Sequence, residues 1–409
     1  MKAQIKLAAL ALAITALAPS LHAQLTLPTT DVSDGALNVT GITNIDLRNA
    51  VTVSSWTNSN TGTNVGNGVY DPAQWAVVFK YSSVNIASNG TVNFINNITH
   101  APVVWVVNGN ATINGTINLD GQNGNYTDPN NLPEPGPGGF RGGGSPTFGF
   151  GPGFGPGGGA SQNVSGTYSG IYGNAQILPL IGGSGGAGYG NGYGGSAGGG
   201  AISIAASGNI NLTNAYIHAT GGYNSGGGGS GSGGAIRLIA NQISGNGSTA
   251  ITALGGPNNG NPPYCGRIRL EANSVLGSFT PNPNIAAVQP DSPVVKIFPA
   301  TNAPAVTILN VGLTPISADP KAIMSSGVNA DDVTLITTNT VTVQLQTQNF
   351  PTNGTVSVYI KPRNNNSSQT IIPATLDSGT TNLALWHVST TLLYPGIPAH
   401  TVIQARASF

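Results

Sequence analysis

Carboxylates are scarce in the middle of this chain, and this limits the chemistry available there. Between Asp120 and Asp291 the acidic residues are Asp128, Glu134 and Glu271. Glycoside hydrolysis needs two carboxyl groups a few ångströms apart, and a lyase needs a base with cations or Ca²⁺. Asp128 and Glu134 come nearest to a pair, but they flank a glycine-rich segment in which geometry is poorly held. The favoured interpretation is therefore that the chain has no catalytic residues.

Two arginines occupy equivalent places in the repeated stretches "AIRLIA" (235–240) and "RIRLEA" (267–272). On neighbouring parallel strands, Arg237 and Arg269 are expected about 5 Å apart. With Arg267 and Glu271 beside them, they could bind a small anion or a uronate. The favoured alternative is that these arginines lie on an outer face exposed to solvent, where Glu271 balances their charge. On such a face, Arg237→Ser is expected to have a mild effect on folding.

The metal-ligating residue types show no convincing constellation. His218 takes an outward place on its strand, and His100 stands just before another strand, without a Cys or Asp at ligand spacing. The stretch "DGQNGNYTD" (120–128) is rich in oxygen ligands but lacks the closing Glu of an EF-hand. Cys265 is interpreted as a small residue in a tight loop, since no base is evident near it. No metal and no cofactor is predicted.

Aromatic residues set among glycines are the better functional indication. Such rings stack on sugars or on partner surfaces, or else they pack back to pin their own loops, and both interpretations stay open. With the two arginines included, the predicted ligand-binding residues are Phe148, Phe150, Phe154, Tyr189, Tyr193, Tyr223, Arg237 and Arg269.

The elements that must position these residues come from an internal repeat. Residues 201–222, "AISIAASGNINLTNAYIHATGG", recur as 235–256, "AIRLIANQISGNGSTAITALGG", and in part from 267. Apolar residues alternate with Ser203, Arg237 and Arg269, a period of two that is typical of strands. Each copy breaks into three short strands, and stacked copies of this kind form the coils of a parallel β-helix. The inward ladders are expected to be Ile202, Ile204, Ile236, Leu238, Ile268 and Leu270.

The same pattern begins earlier in the chain, in a part that is poor in glycine. "APVVWVVNGNATINGTINLDG" (101–121) aligns with the later copies, with Val104 and Val106 in the inward places. Of the 60 glycines, 46 lie within 121–266, mainly in inserts at 121–200, 223–234 and 257–266. These inserts are predicted either as flexible loops or as extended left-handed helices packed side by side. If they are loops, shortening 182–199 should leave the fold intact.

Both ends of the chain carry separate signals. Residues 1–23 combine Lys2 and Lys6, an apolar run and the end "LHA", which predicts a secretory signal peptide; the run is too short for a membrane anchor. Without the leader, 11 basic residues face 13 acidic ones, and this argues against a nucleic-acid partner. One cysteine excludes a disulfide within the chain. No later stretch predicts a transmembrane segment.

The C-terminal part changes in composition. A proline-rich linker is predicted at 281–293, and seven alternating runs from "VVKIF" (294–298) to "TVIQARASF" (401–409) predict a small antiparallel β-sandwich of Ig-like type. The predicted fold class is therefore all-β, with a parallel β-helix over 24–280 and a sandwich over 294–409.

The chain resembles a group of secreted, glycine-rich bacterial proteins. The resemblance is carried by "YDPAQWAVVFKYSSVNI" (70–86), the 101–122 stretch, "EPGPGGFRGG" (134–143), "GGAIRLIA" (233–240) and a terminal "IQARASF". It covers most of the chain and implies a right-handed β-helix and export, but no activity. The predicted function is an exported cell-surface or extracellular-matrix adhesive protein that contacts a polysaccharide or protein through its inserts. The alternative is a polysaccharide-active lyase or hydrolase.

Overall fold

The computed structural model describes residues 24–124, 133–143, 153–159, 171–189, 193–224, 227–257, 264–316, 333–335, 339–362, 370–392 and 401–409. This part of the chain is all-β and contains both parallel and antiparallel sheets. Two 3-10 helices are present, at Leu47–Asn49 and Gly62–Asn64. The strands, in chain order, are β1 (Ala36–Val39), β2 (Ile42–Asp46), β3 (Val51–Thr52), β4 (Val69–Asp71), β5 (Ala76–Tyr81), β6 (Ser83–Ile86), β7 (Thr91–Ile95), β8 (Val103–Val107), β9 (Ala111–Ile113), β10 (Thr116–Asn118), β11 (Ala201–Ala206), β12 (Asn209–Thr213), β13 (Tyr216–His218), β14 (Ala235–Asn246), β15 (Ala250–Thr252), β16 (Arg267–Gly277), β17 (Thr280–Asn282), β18 (Ala305–Val311), β19 (Thr314–Pro315), β20 (Val341–Gln348), β21 (Thr355–Pro362), β22 (Thr370–Pro373), β23 (Thr375–Gly379), β24 (Leu383–Thr390) and β25 (Thr401–Ser408).

Strands β1, β2 and β5–β17 lie in three parallel rows, here called A, B and C. Row A contains β5, β8, β11 and the first halves of β14 and β16. Row B contains β1, β6, β9, β12 and the second halves of β14 and β16. Row C contains β2, β7, β10, β13, β15 and β17. From β5 onward the chain visits A, B and C in turn, and every glycine-rich insert leaves after a C strand and returns to an A strand.

The predicted ladders in row A are confirmed. Ile202 is in register with Ile236 and then Ile268, and Ile204 with Leu238 and then Leu270. All six side chains are at most 5% exposed and belong to one core cluster. Each buried side chain contributes about 1.5–3 kcal/mol relative to exposure. Because each ladder is made of residues from successive repeats, the core forms only when the repeats stack on one another.

The register expected for the first repeat is wrong by one residue. Val103 and Trp105 are the partners of Ile202 and Ile204 and lie in the core, whereas Val104 and Val106 point to the opposite side of row A. The run "VVWVV" is apolar at every position because both of its faces are buried, so a period of two cannot tell the faces apart.

The outer side of row A is covered by chain segments that are distant in sequence. Leu25 and Leu27 from the N-terminal side, and Val295 and Ile297 from beyond the repeats, pack in a second cluster with the outward residues of row A. Thr26 pairs with Val294 as an isolated parallel bridge. This face of the sheet is therefore an interior layer, and not a solvated surface.

The C-terminal part contains two antiparallel sheets around a core of its own. Their orders are β19-β18-β20-β24-β23 and β22-β21-β25, and they share one cluster that includes Val343, Phe350 and Trp386. Five of the seven predicted runs coincide with strands β18, β20, β21, β24 and β25. "DVTLITT" (332–338) is described only at 333–335. "VVKIF" is not a strand of these sheets, because Val295 and Ile297 lie in the second cluster over row A.

Candidate functional site

The described parts of the inserts form an ordered bundle with a hydrogen-bond period of three. The glycine bundle is defined here as residues 119–124, 133–143, 153–159, 182–189, 193–200, 219–224, 227–234, 253–257 and 264–266. Within it, Gly183 and Gly186 donate to Gly199 and Ser196, and the intervening Gly185 donates to Phe154 in another segment. Ser196 and Gly199 likewise donate to Gly229 and Ser232. Bonds to one neighbour recur every third residue, as in side-by-side polyglycine helices with three residues per turn.

Close backbone contact explains why these segments need glycine. A Cβ atom on Gly198 would lie 1.9 Å from the carbonyl oxygen of Gly183, and one on Gly231 would lie 1.9 Å from that of Ala197. No side chain can yield at such a contact, since backbone meets backbone. Of the two predicted alternatives, the described residues agree with extended helices packed side by side. That 182–199 can be shortened without harm stays a prediction, but the bonds of this segment to several neighbours weigh against it.

Three tyrosines lie on neighbouring segments of the bundle. Tyr189 N donates to Tyr193 O at 2.7 Å, and the two rings meet edge-on with centroids 6.3 Å apart. Tyr223 O accepts from Gly124 N, and the neighbouring Asn224 Nδ2 donates to Gly194 O at 2.5 Å. Tyr223 is 38% exposed. This group is called the tyrosine tip.

The remaining predicted aromatics are not part of the tip. Phe154 is half-buried within the bundle, and its carbonyl accepts from Gly185. Phe140, which also lies among the glycines, is buried with its ring 6.2 Å from that of Trp75. Phe148 and Phe150 lie outside the described residues. Phe140 thus packs the bundle onto its scaffold, whereas contact of the other rings with sugars or partner surfaces stays a prediction.

The arginine pair is a buried structural network. Arg237 is 3% exposed, and its Nε and that of Arg269 both donate to Oε1 of Glu271, at 2.8 and 2.7 Å. Arg237 also donates to Lys296 O at 2.7 Å, and Arg269 to Ala175 O at 3.3 Å. The pairing with Glu271 agrees with the sequence interpretation. The prediction that this face is exposed to solvent is wrong, because residues 294–298 lie over it. The guanidinium groups are bound to acceptors of this chain, and this does not favour an anion site.

Two carboxylates face histidines near the ends of the C strands. Glu134 Oε1 lies 2.9 Å from His100 Nε2, and its Oε2 lies 2.7 Å from Arg141. Burial alone would raise the pKa of Glu134, but the contacts with His100, Asn96 and Arg141 outweigh it and lower the pKa to about 2. A general acid needs a raised pKa, so Glu134 is poorly suited to protonate a leaving group.

The second pair is Asp120 and His218, with Oδ2 and Nδ1 2.7 Å apart. His218 therefore has an Asp companion that sequence spacing did not reveal. The predicted acid Asp128 lies outside the described residues, as do residues 125–127 of the 120–128 loop. Among the residues that the structure describes, no group of three His, Cys, Asp or Glu side chains could hold a metal ion. Cys265 is exposed.

Sequence reasoning missed an outward row of amides on row C. Asn44, Asn93 and Asn118 are in register on β2, β7 and β10, followed by His218 on β13. The signal was available in the aligned stretches "ITNID", "TVNFI" and "TINLD", each with Asn at its third place. It was overlooked because asparagine is abundant throughout the chain.

The described residues contain only short 3-10 helices, and none has the length and hydrophobicity of a membrane-crossing helix. Comparisons of the chain with family models, with curated proteins and with solved structures found no match.

Proposed function

We propose that this chain is an exported adhesive or structural protein of the cell surface or extracellular matrix. Rows A, B and C would be the three faces of a right-handed parallel β-helix, and the two antiparallel sheets an Ig-like sandwich that serves for attachment. The glycine bundle would hold the contact surface away from this scaffold. The observation that carries the proposal is the tyrosine tip, because it sets three aromatic side chains, all at least partly exposed to solvent, on neighbouring segments of a hydrogen-bonded bundle.

The geometry of the bundle supports a contact role over a purely internal one. Tyr189 and Tyr193 are half-buried and Tyr223 is exposed, whereas most glycines around them are buried. Rigid aromatic side chains supply contact area at a low entropic cost. A bundle held by backbone bonds keeps them in a fixed arrangement, and this lowers the ordering cost of association.

The test is adhesion of the chain from Gln24 onward, coated on beads, to cells and to extracted matrix. We expect the triple variant Tyr189→Ser/Tyr193→Ser/Tyr223→Ser to bind several-fold fewer cells while its melting temperature stays near that of the parent. Tyr264→Ser, at an exposed tyrosine outside the tip and outside row C, is the matched control and should bind as the parent does. Unchanged adhesion of a folded triple variant would refute the tip as the contact surface.

A second candidate, a polysaccharide lyase or hydrolase, is favoured by one observation. Asp120 and Glu134 each face an imidazole, which is the type of pair that moves protons in catalysis. Release of reducing ends or unsaturated sugars from a polysaccharide panel, lost in Asp120→Asn or Glu134→Gln, would establish the enzyme. Activity that survives in both variants would place the chemistry elsewhere, and no product from any substrate would reject this candidate.

A further inference from the structure

The outer sides of rows A and C differ in what covers them. The outward residues of row A are buried under residues 24–27 and 294–298. Most outward residues of row C remain accessible: Tyr216 is 43% exposed, Ile42 is 79% exposed, and Thr91 and Thr116 beside them are half-buried, whereas His218 is 8% exposed. Row C is thus a long sheet face whose outward side chains are mostly polar and reachable from solvent.

Three asparagines on this face form a directed chain of amide hydrogen bonds. Asn93 Nδ2 donates to Asn44 Oδ1 at 3.4 Å, and Asn118 Nδ2 donates to Asn93 Oδ1 at 3.1 Å. Asn118 Oδ1 in turn accepts from Asp120 N at 3.0 Å. The bonds hold the amide planes in one orientation. Because each amide nitrogen carries two hydrogens, a second donor at each position is left for a bound group.

An aromatic platform continues the asparagine row on the next strand. The Tyr216 and His218 rings stack at 4.2 Å between centroids, with 20° between their planes. Asp120 Oδ2, 2.7 Å from His218 Nδ1, holds the imidazole in place. On the following strand the residue in register with Tyr216 is Ala250, a small residue that leaves the flank of the Tyr216 ring open.

We propose that the outer face of row C binds a neutral polysaccharide lying across the strands. The platform would stack against the C–H face of a sugar ring, and the asparagine row would bond to hydroxyl groups. Neighbouring strands are about 4.8 Å apart, so six strands present polar groups over about 24 Å. A repeated row of this length suits a polymer with a repeating unit better than a single sugar.

The charges on this face select a neutral polymer over an acidic one. The strands of row C contain no Lys or Arg. Two carboxylates lie at this face, Asp46 at the end of β2 and Asp120 just after β10, and both are engaged, Asp46 with Arg48 at 2.6 Å and Asp120 with His218. A uronate or sulfate would be repelled by the carboxylates and would find no lysine or arginine on these strands to bind. The hydroxyl groups of a neutral sugar, by contrast, can bond to the amides and a carboxylate, and its ring can stack on the aromatic ring.

The experiment is affinity electrophoresis of the chain from Gln24 onward in gels that contain one polysaccharide each. The probes are a β-1,3-glucan, a β-1,4-glucomannan and an α-1,4-glucan, with polygalacturonate and alginate as acidic counterparts. We expect retardation by at least one neutral polymer that changes little as salt rises, because screening acts on charged partners. Tyr216→Ala should weaken it about tenfold, a typical effect of losing an aromatic contact, and Asn93→Ala should weaken it severalfold.

Tyr264→Ala is the control, since Tyr264 is as exposed as Tyr216 but lies outside row C and outside the tyrosine tip. Melting curves of all variants verify folding, because both substituted side chains lie on the outer face and not in the core. The proposal is overturned if no neutral polymer retards the parent, if only the acidic polymers do, or if Tyr216→Ala and Asn93→Ala bind like the parent. None of these outcomes bears on the adhesion expected of the tip.

Discussion

Glu134 is a single residue that links the start of the glycine bundle to the strand rows. Its carboxylate contacts His100 and Asn96, which precede β8, and Arg141 farther along the bundle. Only an ionised carboxylate accepts from all three, so its contribution to stability depends on pH.

The pH dependence of Glu134 has a definite sign. Its pKa falls from 4.5 to about 2 on folding, so the stabilisation is complete above about 4.5 and is lost as the pH falls towards 2. In urea unfolding at a series of pH values, the free energy of the parent should drop across this window more steeply than that of Glu134→Gln. Exposed Asp291→Asn is the control and should follow the parent. Parallel curves for parent and Glu134→Gln would contradict the linkage.

Glu271 is the second residue on which a charged network depends. It is the shared acceptor for Arg237 and Arg269 on the buried side of row A. Removing Glu271 would leave two buried arginines without their carboxylate. Removing one arginine would leave the other still paired with Glu271.

This difference predicts an order of destabilisation. Glu271→Ala should cost about 3–5 kcal/mol, the usual result of leaving a buried charge unpaired. Arg269→Ala should cost about 1–2 kcal/mol, since Arg237 still pairs with Glu271. Arg237→Ser should also be harmful, contrary to the sequence expectation, because Lys296 O loses its donor. Chemical denaturation measures all three, and an equal cost for Glu271→Ala and Arg269→Ala would refute the shared-acceptor interpretation.

At the scale of elements, the glycine bundle is held by backbone bonds and not by side chains. Gly198 donates to Phe140 and accepts from Gly136, and its Cα hydrogens face the carbonyl of Gly183. A segment of this kind has no core of its own, so its stability comes from bonds and contacts made by many short segments at once.

Gly198→Ala tests this arrangement directly. The added methyl would meet Gly183 O at 1.9 Å, so the segments must separate, and we expect a loss of about 3 kcal/mol or more. Gly41→Ala is the matched control, since nothing lies within 4 Å of its Cβ position, and it should change stability by less than about 1 kcal/mol. Similar melting temperatures for both variants would show that the bundle is not close-packed.

At the scale of the whole molecule, chain segments far apart in sequence complete the outer layer of row A. Leu25 N donates to Asn241 Oδ1 at 2.7 Å, and Thr26 pairs with Val294. Val295 and Ile297 then cover outward residues of row A. The domain boundary predicted at Val294 stays a prediction, but this packing favours a cut after Phe298.

Two fragments test where the boundary lies. Residues 24–298 should melt cooperatively, whereas 24–290 should melt at a lower temperature and bind a hydrophobic dye, because it uncovers Val104, Val106 and Ile239. Residues 299–409 should fold alone, since they contain the third core cluster complete. Equal melting of 24–290 and 24–298 would show that residues 291–298 do not stabilise the rows.

The sequence repeat by itself determined much of the architecture. Short strands, their inward Ile and Leu residues and the exit of the inserts after the third strand of a repeat all follow from local periodicity. The register of "VVWVV" did not follow, because burial on both faces removes the alternation from which register is read.

The site was less predictable than the fold. The sequence named the tyrosines among the glycines, but composition alone could not choose between loose loops and a packed bundle. Only the tertiary structure brings the segment of Tyr189 and Tyr193 beside that of Tyr223, buries Arg237 under residues 294–298, and pairs His218 with Asp120, which follows β10. These are contacts between segments tens to hundreds of residues apart, and local periodicity carries no information about such contacts. The periodic pattern of side chains along the strands can therefore be read from the sequence. The exposure of each sheet face cannot, because it depends on which distant segment of the chain packs over that face.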